Sequence, residues 1–396
     1  MFKPFAILCL GAALSAASAS AQLSPSTGSQ SDLSSRGPVA YVYVASYPGN
    51  EEPNVIAGYS ASSNGALTPI PGSPFRRNIR PMAVNGRFLM GTNAMNNHPK
   101  IYTLQIGPGG ALTYVTSTPC VQMGNQCLAA FNLFFDRTGS DLYVMELNDS
   151  DQTNTASFSV DKSSGSLNYL GDAITGTLPN DSAGTSFIGD NEYAYLASQD
   201  GCMYYSIDGF QREASGLLDL INTQFNLPTP PPGVGLYYPD WAVTDHANHV
   251  AIIEQPANPP GCASGPLQLA VYTADASGNL NTKSTYKDMP ATLIQNPNDM
   301  KMSPSGRLLA VGGQQGLQIF HFNGANPIRH YTNLITKDPI SQMFWDNDNH
   351  LYAITYGVGG GKLLVFTITP TTHQMAPGSP HAIRGPQYIA VQPLTH

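Results

Sequence analysis

A short apolar run that recurs seven times along the 396-residue chain constrains its fold more than any other feature. The runs are spaced by roughly 43 to 58 residues, the length of one four-stranded blade of a β-propeller. Each of the last six follows a polar turn, as at Asn85 and Gly86, whose residue types tolerate the positive φ angles of a tight hairpin. We predict that each run is the second strand of a blade, at 41–43, 88–90, 142–144, 194–196, 250–252, 308–310 and 351–353.

A third strand follows in every repeat, and its residues alternate apolar and polar in several of them, which is the period expected of a sheet. The predicted third strands are 55–59, 101–104, 156–160, 203–207, 267–272, 317–322 and 363–368. A fourth strand opens with Gly-x-Leu in five repeats, at Gly65, Gly110, Gly165, Gly216 and Gly278, and the last two repeats lack this motif. Together the repeats predict an all-β, seven-bladed β-propeller.

The two ends of the repeat array complement one another. The first repeat has no innermost strand, and the chain ends with an additional strand at 387–391. Pairing this C-terminal strand into the first blade closes the ring and leaves no open sheet edge. We therefore predict a propeller that is closed by its C-terminal strand.

The composition fits short strands and tight turns and excludes one class of partner. Charged residues make up only 11% of the chain, which contains 38 Gly and 32 Pro. The formal net charge is -8, and no run of Lys and Arg is present. Because binding to phosphate backbones needs clustered cations, we do not expect nucleic acid as a partner.

The N-terminus has the features of an export signal. Lys3 supplies a positive start, residues 5–13 an apolar stretch, and Ala19 to Ala21 a small-residue cleavage site. We predict a signal peptide at 1–21, a Ser-rich disordered tether at 22–38 and the propeller at 39–396. The apolar stretch is too short for a permanent membrane anchor, so the predicted location is secreted or periplasmic.

Export leaves four cysteines, and an even number in an oxidising compartment favours disulfides. The repeat places Cys202 and Cys262 after the second strands of neighbouring blades, and Cys120 and Cys127 on either side of the connection into the third blade. We predict these two pairings, with buried free thiols as the alternative. No Cys pair has zinc-finger spacing and no Cys-x-x-Cys-His motif occurs, so we predict neither a metal nor a cofactor.

The segments 41–46 and 65–75 resemble those of bacterial lactonase-type seven-bladed propellers, which include 6-phosphogluconolactonase-like and carboxymuconate-cyclase-like proteins. The resemblance covers about residues 39–394 and implies the same fold. In catalytic members it implies an Arg-His pair at the start of an innermost strand and a Glu after the next strand. Such groups suit lactone opening or closure, with Arg stabilising the oxyanion and His or Glu moving the proton.

This chain matches only part of that catalytic pattern. Glu146 corresponds to the Glu element, with Met145 where Asn is usual. The preceding strand, residues 127–134, contains no Arg-His pair. The resemblance therefore does not carry the activity to this chain, and Glu146 is a catalytic candidate without its partners.

One end of a propeller carries both the connections between second and third strands and those between blades, and we call this end the mouth. Candidate ligand-binding residues near it are Arg80, Asp240, Glu254, Asp299 and Tyr356. Convergence of Glu146, Asp240 and Glu254 would give a carboxylate-lined pocket for a polyol, sugar or cation, with raised pKa values. The alternative is that these strand-end carboxylates accept backbone N–H groups or face solvent. The His-containing segment 245–249 lies at the opposite end, and we interpret it as a solvated turn, with a metal site as the alternative.

Two functional hypotheses follow. In the first, the protein binds a small polar ligand, a carbohydrate or an extracellular protein at its mouth without catalysis. In the second, it is a lactone hydrolase or cycloisomerase with a rearranged site around Glu146.

Overall fold

Seven antiparallel sheets, each with four main strands, form the blades of a propeller. The computed structural model describes residues 37–47, 54–93, 100–122, 125–126, 129–147, 153–174, 186–200, 204–221, 224–258, 265–355 and 360–395. The predicted signal peptide and all but the last two residues of the predicted tether lie outside these ranges. Within them, a 3-10 turn at Pro108–Gly110 is the one helical element, and no helix has the length and apolar character of a membrane span.

The strands follow one another along the chain, blade by blade. Blade 1 contains β1 (Ala40–Ser46), β2 (Val55–Ala61), β3 (Leu67–Pro69) and β4 (Phe75–Arg76), and blade 2 contains β5 (Met82–Val84), β6 (Phe88–Thr92), β7 (Lys100–Ile106) and β8 (Leu112–Pro119). A hairpin of β9 (Val121–Gln122) and β10 (Asn125–Gln126) leads to blade 3, with β11 (Ala129–Phe135), β12 (Asp141–Leu147), β13 (Thr153–Val160) and β14 (Leu167–Ile174). Blade 4 contains β15 (Ser186–Phe187), β16 (Tyr193–Asp200), β17 (Tyr204–Arg212) and β18 (Leu218–Ile221).

The remaining blades repeat this order. Blade 5 contains β19 (Leu236–Thr244), β20 (His249–Ala257), β21 (Gln268–Ala274) and β22 (Leu280–Thr282), and blade 6 contains β23 (Pro297–Met302), β24 (Leu308–Gly313), β25 (Gly316–His321) and β26 (Arg329–His330). Blade 7 contains β27 (Ile340–Trp345), β28 (His350–Thr355), β29 (Gly361–Ile368), β30 (His373–Met375) and β31 (His381–Ile383), and β32 (Pro386–Pro393) ends the array. The seven predicted second strands all fall within strands of this structure.

The last strand of the chain completes the first blade. β32 pairs antiparallel with β1, in a register that runs from Ala40 opposite Pro393 to Ala45 opposite Tyr388. Ile389, Ala390 and Val391 of β32 are almost completely buried. The predicted closure of the ring is therefore confirmed.

The apolar core of the described residues lies between blades. Seven main clusters occupy the seven interfaces between neighbouring blades. In one of them, Tyr195 of blade 4 packs with Tyr237 and Tyr272 of blade 5. A blade alone cannot bury these side chains, so each blade depends on both of its neighbours.

The Gly-x-Leu motif forms a hydrogen-bonded contact between blades as well as a turn. The hydroxyl of Tyr195 in blade 4 donates to the carbonyl of Gly278 in blade 5 at 2.9 Å. Tyr43 and Gly110 form the same contact between blades 1 and 2, at 2.7 Å. Gly278 has φ +77°, and a Cβ there would lie 2.6 Å from the ring of Tyr193. The motif therefore needs Gly both for its backbone conformation and for the close approach of the preceding blade.

We expect Tyr195→Phe to lower the free energy of unfolding by about 1 kcal/mol, because it removes a buried hydrogen bond and leaves the carbonyl of Gly278 without this donor. Urea unfolding followed by circular dichroism measures the change. Tyr114→Phe is the matched control, since the Tyr114 hydroxyl bonds Ser117 on an exposed surface. Equal stability of Tyr195→Phe and the wild type would show that the contact does not stabilise the interface.

Candidate functional site

A β-bulge recurs at the mouth end of the innermost strand in five blades. The extra residues are Phe131, the pair Asp240 and Trp241, Asn298, Ser341 and Gln387. A bulge changes the direction in which the following side chains point, and bulges are common beside functional sites. The predicted site residues Asp240 and Asp299 lie within or directly after such bulges.

Arg80 connects blade 2 to the strand that closes the ring. Its guanidinium donates a hydrogen bond to Oε1 of Gln387, the bulged residue of β32. The same group lies over the ring of Tyr47, with Cζ 4.7 Å from the ring centroid. Arg80 is therefore held by structural contacts at the seam between blades 1 and 2.

Asp299 connects blades 6 and 7. Its Oδ2 accepts the backbone N–H of Met343 at 2.6 Å, and its Oδ1 lies 2.9 Å from Nζ of Lys301. Burial raises the pKa of Asp299, while Lys301 and the backbone donors act in the opposite direction. For this residue the contacts match the alternative in which a strand-end carboxylate accepts a backbone N–H.

Glu146 lies on β12 of blade 3 and is completely buried. Its register partner on β13 is Asn154, whose Nδ2 donates to Oε1 of Glu146 at 3.3 Å and to Oδ1 of Asp172 at 3.0 Å. The amide therefore links two carboxylates within a single blade. Glu146 lies two blades away from Glu254.

Glu254 occupies the position in blade 5 that Glu146 occupies in blade 3, because each is the sixth residue of its second strand. Oε1 of Glu254 accepts a hydrogen bond from the Tyr272 hydroxyl at 2.6 Å. Complete burial raises the pKa of Glu254 to about 8, and the nearby charge of Asp240 adds to the effect. The carboxyl group is therefore largely protonated at neutral pH.

Phenol and amide side chains surround this acid. The Tyr237 hydroxyl donates at 2.6 Å to Oε1 of Gln268, the register partner of Glu254. Burial, followed by the charge of Glu254, raises the pKa of Tyr237 to about 12. The rings of Tyr205 and Tyr238 meet edge to face nearby, with centroids 4.9 Å apart. We call Glu254, Asp240, Tyr237, Gln268 and Tyr272 the Glu254 cluster.

The Glu254 cluster contains a carboxyl oxygen with unused hydrogen-bonding capacity. Oε2 of Glu254 is buried and has no hydrogen-bond partner among the residues that the structure describes. Buried polar atoms in proteins are nearly always paired, and exceptions concentrate at functional sites or ordered water. Of the three carboxylates predicted to converge, the structure brings Asp240 and Glu254 into electrostatic contact.

Comparison with solved structures identifies the fold. A protein from Bacteroides fragilis, provisionally called a 6-phosphogluconolactonase, is 12% identical with a TM-score of 0.62 over 89% of this chain and 97% of its own. A Bacteroides uniformis protein with the same provisional name is 12% identical with a TM-score of 0.60, over 89% and 99% of the two chains. A Lactobacillus plantarum protein is 13% identical with a TM-score of 0.61, over 90% and 99%. The chain has a lactonase-like propeller fold.

No family model and no curated protein sequence matches this lactonase-like propeller. At 12 to 13% identity the structural likeness establishes the fold and leaves the chemistry open. In the chain itself, the strand that precedes Glu146 is β11, and it contains no Arg-His pair.

Several predicted features of the lactonase-like propeller lie outside the described residues. Tyr356, Cys127, Cys202 and Cys262 are among them, so both disulfide pairings stay predictions. Cys120 is completely buried at the interface of blades 2 and 3.

The prediction of a solvated turn at 245–249 is wrong for Asp245, which is 7% exposed. Its Oδ1 accepts the N–H groups of Ala247 and His249, and its Oδ2 lies 2.8 Å from Nδ1 of His249. A buried carboxylate thus orders the turn. In the described ranges no group of three His, Cys, Asp or Glu side chains is placed to hold a metal ion.

We expect the lactonase-like propeller to lose stability as pH rises from 5 to 8, because its folded state keeps a proton on Glu254 that the unfolded chain releases. The folded-state pKa of about 8 lies above the ordinary value of 4.5, so the proton stabilises the fold at low pH. Relative to Glu254→Gln, the wild type should lose about 3 kcal/mol over this interval. Urea unfolding at both pH values measures the difference. Parallel pH profiles for the two proteins would contradict a raised pKa.

Proposed function

We propose that this lactonase-like propeller binds a small polyol or sugar at the mouth end of blade 5, through the Glu254 cluster. The observation that carries the proposal is the buried Oε2 of Glu254, which has no hydrogen-bond partner in the described part of the chain. A ligand hydroxyl placed there would supply the missing partner and remove the cost of an unsatisfied buried polar atom.

The protonation states of the cluster suit a hydroxyl-rich ligand. A neutral Glu254 donates one hydrogen bond, and the carboxyl oxygens of Asp240 accept hydrogen bonds. A hydroxyl group both donates and accepts, so neighbouring hydroxyls of a polyol complement this pair. The rings of Tyr205 and Tyr238 supply an apolar surface of the kind that lines most small-molecule sites.

The burial of the cluster restricts the size of the ligand. Glu254 is completely buried, and Asp240 is 4% exposed. A ligand therefore reaches the acid through local opening of the interface between blades 4 and 5 at the mouth. The need for local opening favours a monosaccharide or a smaller polyol, and not a polymer, as the ligand that contacts Glu254. A longer carbohydrate or an extracellular protein would instead bind the mouth surface around the Glu254 cluster.

The second candidate is lactone hydrolysis or isomerisation around Glu146. It is favoured by the buried position of Glu146 on β12, in the segment that resembles the lactonase Glu element. One partner of Glu146 is the amide of Asn154. The strand β11 contains no Arg-His pair of the catalytic pattern, so we rank this function second.

We further propose that the chain is exported, because residues 1–21 have the pattern of a signal peptide. The secreted or periplasmic environment would then oxidise the four remaining cysteines, with pairing of Cys120 to Cys127 and of Cys202 to Cys262.

We expect glucose or myo-inositol to raise the melting temperature of the wild type without being consumed. Glu254→Leu should weaken this binding by about tenfold or more, because it removes the carboxyl group that hydrogen-bonds a ligand hydroxyl. Calorimetric titration measures the affinities. Glu146→Leu is the matched control, a buried Glu at the same strand position in blade 3, and it should bind as the wild type does.

Assays of the same proteins for turnover of gluconolactone and 6-phosphogluconolactone distinguish the two functions. Turnover that disappears in Glu146→Leu would support the lactonase and contradict the binding proposal. Unchanged polyol affinity in Glu254→Leu would also contradict it.

A further inference from the structure

A cavity of about 360 Å³ lies in the channel at the end opposite to the mouth. Innermost strands of blades 2 to 7 line it, together with turn residues that include Arg137 and His246. A second cavity of about 400 Å³ shares Arg137 and Phe344 with it and reaches the hairpin turns between first and second strands. We call this end the turn face. The channel cavity therefore adjoins the turn face and is separate from the Glu254 cluster.

The lining of the channel cavity combines apolar residues, uncharged polar residues and positive charge. Phe134, Phe187 and Phe344 are among its lining residues, and Asn, Ser, Thr and Gln residues also belong to it. Arg137 and Lys301 also line it, and no Asp or Glu belongs to the lining. This local excess of cations contrasts with the net charge of -8 of the whole chain.

Hydrogen bonds hold the guanidinium of Arg137 in place and leave one of its N–H groups without a partner among the described residues. Its Nε donates to the carbonyl of Ile188 at 2.6 Å, and its Nη2 donates to the carbonyls of Phe187 and Asp245. Its Nη1 lies 2.6 Å from Nδ1 of His246. Burial and the charge of Arg137 lower the pKa of His246, which therefore accepts this bond as a neutral ring. Since a guanidinium has five N–H donors, one on Nη1 stays without a partner in the described ranges.

The positive charge of Lys301 is partly compensated by a neighbouring carboxylate. Its ammonium forms an ion pair with Asp299 at 2.9 Å and lies over the ring of Phe344, 5.5 Å from the centroid. The hydrogen bonds of Arg137 are to carbonyls and a neutral imidazole, and the charges of Asp245 and Asp190 act on it from outside the cavity lining. Both cations of the lining are thus partly compensated, and the positive charge that remains suits a single negative charge better than a dianion.

We propose that the channel cavity is a second ligand site, which takes a small monocarboxylate with an aromatic or branched alkyl body. The free N–H of Arg137 and the ammonium of Lys301 would hold the carboxylate through charge-assisted hydrogen bonds. The phenylalanine side chains would enclose the apolar body. The volume is within the range of sites that hold small organic molecules.

This site does not depend on the polyol site at the mouth. Its lining contains cations where the Glu254 cluster is acidic, and it adjoins the opposite end of the channel. Failure of one proposal therefore leaves the other intact.

Calorimetric titration of the full-length protein with phenylacetate tests the proposal, with phenylacetamide as the neutral ligand of nearly the same shape. We expect phenylacetate to bind, and phenylacetamide to bind about tenfold or more weakly, because it lacks the charge. Lys301→Met should weaken phenylacetate to a similar extent. Lys287→Met is the matched control, since Lys287 is exposed and lies beside Tyr286 away from the channel.

The comparison of the two ligands on the wild type decides the question even if Lys301→Met fails to fold. Equal affinity for phenylacetate and phenylacetamide would overturn the proposal, and so would the absence of phenylacetate binding at millimolar concentration. A folded Lys301→Met variant that binds phenylacetate as the wild type does would overturn the role of Lys301 in the site.

Discussion

The pairing of β32 with β1 joins the two ends of the chain into one sheet, and the arrangement of the other blades depends on it. Every blade buries its apolar faces against two neighbours, so a ring with an open seam would expose the faces of blades 1 and 7 together. The same seam positions side chains at the mouth. Gln387 in the bulge of β32 holds Arg80, and Gln342 of blade 7 accepts the N–H of Ile389 at 2.7 Å.

Two kinds of hydrogen bond recur between neighbouring blades. On the outer side, a second-strand tyrosine donates to a glycine carbonyl of the next blade, as Tyr143 does to Gly216 at 3.0 Å. On the channel side, a polar side chain of one innermost strand accepts a backbone N–H of the next, as Asp299 does from Met343. Polar residues that a sequence marks as site candidates therefore divide into two groups. Arg80 and Asp299 hold blades together, while Glu254 has a buried oxygen without a hydrogen-bond partner among the described residues.

The fold was predictable because its signals are local. The second strands, the hairpin turns and the Gly-x-Leu motifs each depend on a few consecutive residues, and their repetition makes the pattern visible. The closing strand was predictable by counting, since one strand is missing at the start and one is additional at the end. The role of Gly278 in contacting Tyr195 was not predictable, because the contact joins residues 83 positions apart in neighbouring blades.

The sites were less predictable for the same reason. Whether Asp240 approaches Glu254 depends on the bulge at residues 240 and 241, and a bulge has no distinctive local sequence. The channel cavity brings together Arg137, His246 and Lys301 from blades 3, 5 and 6, and no motif connects them. Burial, which raises the pKa of Glu254, is likewise a property of the assembled ring.

Closure of the ring by the chain ends is the central claim, and hydrogen–deuterium exchange of peptides from β1 and β32 tests it most directly. Backbone hydrogen bonds in a closed ring exchange through cooperative opening. The account predicts that β1 and β32 exchange together, as slowly as the second strands of blades 4 and 5. Fast exchange of β32 while the second strands of the other blades stay protected would contradict it.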